Sequence, residues 1–335
     1  MSVVKNTISF CPECYKRIPA TVVIRNGSVW IEKNCSEHGF FCAMVERDVD
    51  FYLKCLNSGN GRIIYNGYSL EVTDRCNLSC AFCYYPKDNS SKDRSIENIM
   101  QEVDMVGHLG PILVTGGEPT VRKDLLEVIA TIQMHCPNVE LITNGVNIDE
   151  KMLDKLIPLL SSGNSTVRIN MSLHKEAQGK DIELLELCRK KRIKLESVLI
   201  EPVSSLDQIE AKFDFAKEYA DTTVAYRMRA ATNIWNEKGV KDKIFVSDML
   251  KELEKYGMVH PIWWRNNKTS FFNTLVGGIP FMLISWYDVN NCDILDINCP
   301  PLYPARNGTI ENAAIASIVN EGMDKGWLNG RRIKD

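Results

Sequence analysis

No stretch of this 335-residue chain approaches the ~20 consecutive apolar residues that a membrane-spanning helix requires. Its first residues lack the basic-then-apolar order of a secretory leader, so the expected compartment is a reducing cytoplasm. Positive charge is not in excess either. The 40 Lys and Arg against 43 Asp and Glu leave a net charge of -3. That argues against a nucleic-acid partner, because phosphate binding needs a basic face. The one dense basic run, Arg189-Lys190-Lys191-Arg192-Ile193-Lys194, reads as a helix end, where cations offset the macrodipole. Internal repeats and low-complexity tracts are absent. The composition, 44% hydrophobic and 25% charged, is that of an ordinary globular protein. The length suits one large domain, or one domain with small appendages. Cysteine, by contrast, is abundant. Twelve cysteines in a chain without a leader point to metal ligands rather than disulfides.

Three of them lie within eight residues, Cys76-Asn77-Leu78-Ser79-Cys80-Ala81-Phe82-Cys83, directly after an alternating segment, Tyr68 to Thr73, that reads as a strand. Thiolates suit iron–sulfur clusters or zinc. A 4Fe–4S cube needs four ligands, so a three-cysteine loop leaves one iron open, and an open metal position is a binding site. The competing reading is three structural cysteines around zinc. Downstream, after a second apolar run, comes Gly116-Gly117-Glu118-Pro119.

A second cysteine set opens the chain. Cys11-x2-Cys14 precedes two alternating segments, Thr21 to Arg25 and Ser28 to Lys33, joined by Asn26-Gly27, a strong hairpin signal. Cys35-x2-His38 follows. This is zinc-ribbon spacing, because the hairpin brings the two tight turns together. A module this small needs a metal to supply folding free energy. The expected ligands are Cys11, Cys14, Cys35 and His38. The alternatives are free thiols, or a rubredoxin-like four-thiolate iron site in which Cys42 replaces His38.

From Tyr68 onward, strand and helix patterns alternate. Strands are expected at Tyr68–Thr73, Ile112–Thr115, Val139–Thr143, Val167–Leu173, Leu195–Glu201 and Thr223–Arg229. Helical faces are expected at Ile96–Val106 and Leu125–Ile132, after an N-cap at Asp149, and after a capping box at Ser205-x2-Gln208. Six βα units imply parallel strands with right-handed crossovers, too few for an eightfold barrel. The fold class expected is α/β: a partial (β/α)6 barrel with a small N-terminal metal-binding β module and a C-terminal extension. Residues 1–60 would form the metal module, 66–230 the core and 231–335 the extension. Within the extension, Phe245–Tyr256 and Ala313–Met323 read as helices, and the aromatic-rich Pro261–Tyr287 as strands or a lid. The polar stretch Lys87–Arg94 reads as a flexible loop.

Cys76-x3-Cys80-x2-Cys83, with Phe82 before the last cysteine, resembles the signature of radical S-adenosylmethionine (SAM) enzymes, and Gly116-Gly117-Glu118-Pro119 resembles their second motif. The front module narrows the resemblance to the subgroup of tetraether lipid synthases and pterin methyltransferase-like proteins. Members of that subgroup are longer and carry further cysteines after the core. Here only Cys292 and Cys299 follow Cys188, too few alone to hold a second cluster.

The resemblance implies a 4Fe–4S cluster on Cys76, Cys80 and Cys83, with SAM on the open iron. Gly116, Gly117 and Glu118 would hold the amino group of SAM. Thr143, Asn144, Asn170 and Ser172 would contact its ribose or carboxylate. Phe82, Glu201, Arg227 and Arg229 complete the expected site, the arginines being able to pair with a carboxylate bidentately. His174 reads as a solvated loop histidine. The implied activity is reductive cleavage of SAM to a 5′-deoxyadenosyl radical that takes hydrogen from a small or amphiphilic substrate. Electrons would come from a flavodoxin or ferredoxin. Two other readings stand beside it: an enzyme modifying a peptide or macromolecule docked on the N-terminal module, and a non-enzymatic metal protein.

Overall fold

The structure is a computed structural model and describes residues 1–14, 16–57, 68–80, 87–106, 111–160, 166–231, 243–262 and 271–284. Two compact units make up the chain: Met1–Ile64 with Pro202–Asp214 and Met228–Asp335, and Tyr65–Glu201 with Phe215–Arg227.

The first unit contains a four-stranded antiparallel sheet of β1 (Ser2–Phe10), β2 (Arg17–Arg25), β3 (Ser28–Cys35) and β4 (Gly39–Glu46), in that order. Asn26 and Gly27 join β2 to β3 with φ of 50° and 73°. Both central residues are left-handed, the type I′ geometry that matches strand twist. Val22, Val29, Ile31 and Val45 bury one face of the sheet with Tyr52 of α1 (Val49–Asn57). Asp48 caps α1 by accepting from the Phe51 N–H at 2.9 Å. The same unit holds α7 (Val246–Leu253) and an antiparallel meander of β11 (Val259–Ile262), β12 (Phe271–Val276) and β13 (Ile279–Ile284). Thus the described part of the aromatic-rich segment is strand, not lid. Phe51 meets Phe272 edge-on at 5.0 Å, and buried Glu46 accepts from the Ser247 hydroxyl at 2.6 Å.

The second unit holds most of the α/β core, the start of α6 and the end of β10 counting with the first. Strands β5 (Tyr68–Thr73), β6 (Ile112–Gly116), β7 (Asn138–Thr143), β8 (Thr166–Ser172), β9 (Leu195–Leu199) and β10 (Thr223–Arg229) lie side by side in chain order. Every neighbouring pair is parallel. Helices α2 (Ile96–Val106), α3 (Leu125–His135), α4 (Glu150–Leu160), α5 (Lys180–Lys191) and α6 (Ile209–Glu218) make the crossovers. This is the partial (β/α)6 barrel expected of the sequence. Its core is Leu70, Val72, Ile112, Val114, Leu141, Ile169, Met171, Val198 and Tyr226, all buried. Asp149 caps α4 through the Met152 N–H at 2.7 Å. The basic run ends α5 as expected, and Lys191 bridges to Asp154 at 2.6 Å.

The capping box is displaced by one residue. Gln208 bonds the backbone N–H of Ser204 at 2.9 Å, and Ser205 makes no side-chain cap, because a 3₁₀ turn over Leu206–Gln208 precedes α6. The loop before α2 is tied down rather than loose: Lys87 donates to the Leu78 carbonyl at 2.6 Å, and Asp93 pairs with Arg75 at 2.6 Å. The expected helix over 313–323, Cys292, Cys299 and the tryptophans at 263, 264 and 286 lie outside the described residues. Among the described residues, no helix is long and apolar enough to cross a membrane.

Candidate functional site

Two metal-ligand groups stand out, each at the ends of strands. In the first unit, the turn after β1 carries Cys11 and Cys14, and the turn between β3 and β4 carries Cys35 and His38. Ladder pairing of Phe10 with Arg17 and of Cys35 with Gly39 brings these two turns to the same end of the sheet. One ligand atom from each of the four residues lies within 4.8 Å of every other. His38 Nδ1 is 3.6 Å from both Cys11 Sγ and Cys35 Sγ, and Cys14 Sγ is 3.9 Å from Cys35 Sγ. Metal–sulfur bonds of about 2.3 Å place tetrahedral ligands roughly 3.8 Å apart, so the residues present fit one tetrahedral ion. The Cys35 thiol is lowered to about 6 by the backbone N–H of Glu37 and then by His38, which favours the ligating thiolate. Four protein ligands would close such a centre. Cys42 is not among them: on β4 it accepts from Arg25 at 3.0 Å instead.

The second group lies in the other unit, along the C-terminal edge of the parallel strands, where α/β folds place their ligands. Cys76 and Cys80 follow β5 and are half-buried. The Leu78 N–H lies 3.4 Å from Cys76 Sγ, and His174, just after β8, brings Nδ1 to 3.6 Å from Cys80 Sγ. Thiolates are the ligands of iron–sulfur clusters, and Cys76 and Cys80 supply two of the three that such a loop needs. Phe82 and Cys83 lie outside the described residues.

The loop carrying these cysteines is laced to its neighbours. Gly117 N–H donates to the Thr73 carbonyl at 2.9 Å, and Glu118 N–H to that of Arg75 at 2.8 Å. A Cβ on Gly116 would stand 2.2 Å from the Thr73 oxygen, and one on Gly117 would stand 2.3 Å from the Arg75 oxygen. Only glycine permits that approach. Both close approaches are made to the chain's own backbone, at the end of β5 and just after it.

Glu118 is fully enclosed. Its Oε1 accepts from the Thr120 N–H (3.0 Å), the Thr120 hydroxyl (2.6 Å) and the Thr143 hydroxyl (2.7 Å), while Oε2 accepts from the Asn144 N–H (2.7 Å). Burial pushes its carboxyl up from the usual range, against the pull of these donors. Asn144 in turn donates to Asn77, inside the cysteine loop, at 2.8 Å. Thus Glu118, Thr143 and Asn144 form one chain of bonds from β6 through β7 to the cysteines.

The other expected residues are placed differently. Asn170 is buried and bonds Glu140 at 2.8 Å and the Ser197 hydroxyl, which makes it a link across β7, β8 and β9. Ser172 lies two residues on, half-buried. Glu201 accepts from the Lys175 N–H at 2.7 Å. Arg227 is half-buried, and its positive charge helps to pull down the Glu140 carboxyl, which burial raises. Arg229 is buried and donates to the Ala230 carbonyl at 3.4 Å.

Sequence reasoning missed several supports. Arg122 is buried and donates to the carbonyls of Val72 (2.6 Å) and Arg94 (2.8 Å). Asp93 accepts from Thr73 and Arg75 at 2.6 Å each. His174 meets Cys80 across 94 residues, and no local pattern encodes that contact.

Residues 3–47 match the HMPTM N-terminal zinc ribbon domain, and residues 70–200 match the radical SAM superfamily. The chain carries a radical SAM domain behind a zinc ribbon. It resembles the 7,8-dihydro-6-hydroxymethylpterin dimethyltransferase of Methanocaldococcus jannaschii, 31% identical over 245 residues, 59% of this chain and 46% of that protein. It also resembles the GTP 3′,8-cyclase of Paenarthrobacter nicotinovorans, 33% identical over 117 residues, 32% of each chain. A crystal structure of Streptococcus suis SuiB bound to the precursor peptide SuiA is similar at 16% identity and a TM-score of 0.45, covering 61% of this chain and 47% of that one. The chain spans about half the length, or less, of the curated relatives named here.

Proposed function

We propose that this chain is a radical SAM enzyme that acts on a small organic substrate, with a pterin-type heterocycle as the first class to test. The observation that carries the reading is the half-buried Cys76–Cys80 loop at the C-terminal edge of the sheet, bonded through Asn77 and Asn144 to the Gly116-Gly117-Glu118 turn. Cys76, Cys80 and Cys83 hold the cluster. A 4Fe–4S cluster held there would provide the one-electron reduction by which SAM is split into methionine and a 5′-deoxyadenosyl radical able to take hydrogen from the substrate. The chain's own residues orient the partners and exclude water. Thr143, Asn144, Asn170 and Ser172, on β7, β8 and the loop after β7, are the residues that would contact SAM. A flavodoxin or ferredoxin delivers the electron in the cytoplasm. The zinc-ribbon centre, closed by four protein ligands, is structural and performs no chemistry.

The pterin and GTP in the names of two relatives are both compact heterocycles, and the zinc ribbon in front of the core supports the pterin side of that choice. The test is an anaerobic incubation of reconstituted protein with dithionite, SAM and a candidate. A reduced pterin should raise 5′-deoxyadenosine formation above the substrate-free rate. If candidate peptides do so and pterins do not, the substrate class is wrong.

A further inference from the structure

One side chain reaches the cysteine loop from a strand that is not its neighbour. His174, after β8, brings Nδ1 to 3.6 Å from Cys80 Sγ, after β5. In the sheet these two strands are separated by β6 and β7. Three strand spacings of about 4.8 Å make roughly 14 Å, so only the curl of the sheet lets the two loops meet. A thiolate that ligates iron carries no proton. A hydrogen bond between this pair then runs one way, from the ring N–H to the sulfur.

The backbone around His174 is held by the chain alone. The Leu173 N–H donates to the Leu199 carbonyl at 2.9 Å, the His174 N–H to Asp181 at 2.9 Å and the Lys175 N–H to Glu201 at 2.7 Å. Asp181 is itself buried and also accepts from the Ile182 N–H at 3.0 Å, at the start of α5. Three successive backbone donors are thus satisfied by three different segments, and the half-buried imidazole is set against the loop in advance. A donor fixed in this way costs no reorganisation when charge develops on its acceptor.

We infer that the Nδ1–H of His174 donates to the Cys80 sulfur of the bound cluster and raises its reduction potential. This rests on the reading that Cys80 ligates a 4Fe–4S cluster at this edge. On reduction, one electron passes from flavodoxin or ferredoxin, which is oxidised in turn, and part of the added charge falls on the cysteine sulfurs. A hydrogen bond strengthens as its acceptor becomes more negative. Hydrogen bonds to the sulfurs are among the levers that set cluster potentials. His174 therefore favours the reduced form. It is a positioning residue: it touches a ligand of the cluster and not the reacting atoms.

The test uses the full chain, anaerobically reconstituted, as wild type, His174→Phe and His174→Asn. Phe keeps a ring of similar size and removes the donor. The Asn amide places an N–H donor one bond from Cγ, as Nδ1 is placed. Midpoint potentials are read by redox titration under electron paramagnetic resonance without SAM, with iron content alongside. His174→Phe should move the reduction equilibrium about threefold to tenfold toward the oxidised form, a midpoint lower by roughly 30–60 mV for one electron. His174→Asn should recover most of that shift, and both variants should keep wild-type iron. A further reading needs no variant to fold. Wild type labelled with nitrogen-15 histidine should show a weak nitrogen-15 coupling to the reduced cluster in pulsed measurements. An unchanged or higher potential in His174→Phe, a shift that Asn does not recover, iron lost from both variants, no nitrogen-15 coupling, or one as large as direct iron–nitrogen ligation would each overturn the assignment. Wild-type protein that takes up no cluster would instead refute the function proposed above.

Discussion

Glu118→Gln separates a brace from a ligand contact. In the wild type, one carboxylate oxygen accepts three hydrogen bonds and the other accepts one, from the Asn144 N–H. An amide keeps one oxygen. Its best placement leaves the carbonyl toward Thr120 and Thr143 and turns the NH2 against the Asn144 N–H, donor facing donor. The loss is one bond to a charged acceptor plus one buried N–H left unmet, together about 2–4 kcal/mol. For a domain of this size each kcal/mol moves the midpoint by about 2–4 °C, so melting should fall by roughly 4–16 °C. Differential scanning fluorimetry of the reconstituted protein measures this, with SAM affinity taken well below the midpoint. The brace predicts lower stability and little direct change in SAM affinity. An unchanged melting temperature with a tenfold weaker affinity would refute it and return the ammonium contact to Glu118.

Gly117→Ala puts a Cβ 2.3 Å from the Arg75 carbonyl oxygen, so the backbone must move; a loss of about 1–3 kcal/mol and of cluster uptake is expected, read by melting and iron analysis. Replacing Cys11 and Cys14 by Ser should remove one zinc or iron per chain and lower the melting temperature while the second site keeps its iron; metal analysis finding no such ion in folded wild type would contradict this. Asp48→Ala removes the cap of α1 and should cost about 0.5–2 kcal/mol at pH 7. The Phe51 N–H, followed by Lys251, holds the Asp48 carboxyl below its usual value, so its contribution is present above about pH 4 and is lost as pH falls through the folded value. The gap between wild type and variant in urea unfolding should therefore close in acid.

The core was legible in the sequence because each parallel strand alternates or runs apolar between turn signals, and each helix carries its own apolar face. The Asn26-Gly27 hairpin and the Cys11, Cys14, Cys35 and His38 set were legible because spacing within one hairpin is local. Strands β1 and β4 were not anticipated: Ser2–Phe10 mixes polar and apolar residues, and Gly39–Glu46 shows no clean alternation. Pairing with β2 and β3 makes both of them strands. Motif reading found Glu118 but could not tell that Thr120, Thr143 and Asn144 fill its carboxylate, since those donors come from two different loops. His174 carries no motif at all; only the folded chain places it beside Cys80.

The central claim is that the Cys76 loop holds a SAM-binding 4Fe–4S cluster. It is tested most directly by electron paramagnetic resonance of dithionite-reduced, reconstituted protein with and without SAM, beside the variant with Cys76, Cys80 and Cys83 all changed to Ala. Wild type should show a reduced-cluster signal that changes on SAM addition, and the variant should show neither the signal nor the change. A SAM-responsive signal that persists in the triple variant, or a wild-type cluster indifferent to SAM, would contradict the account.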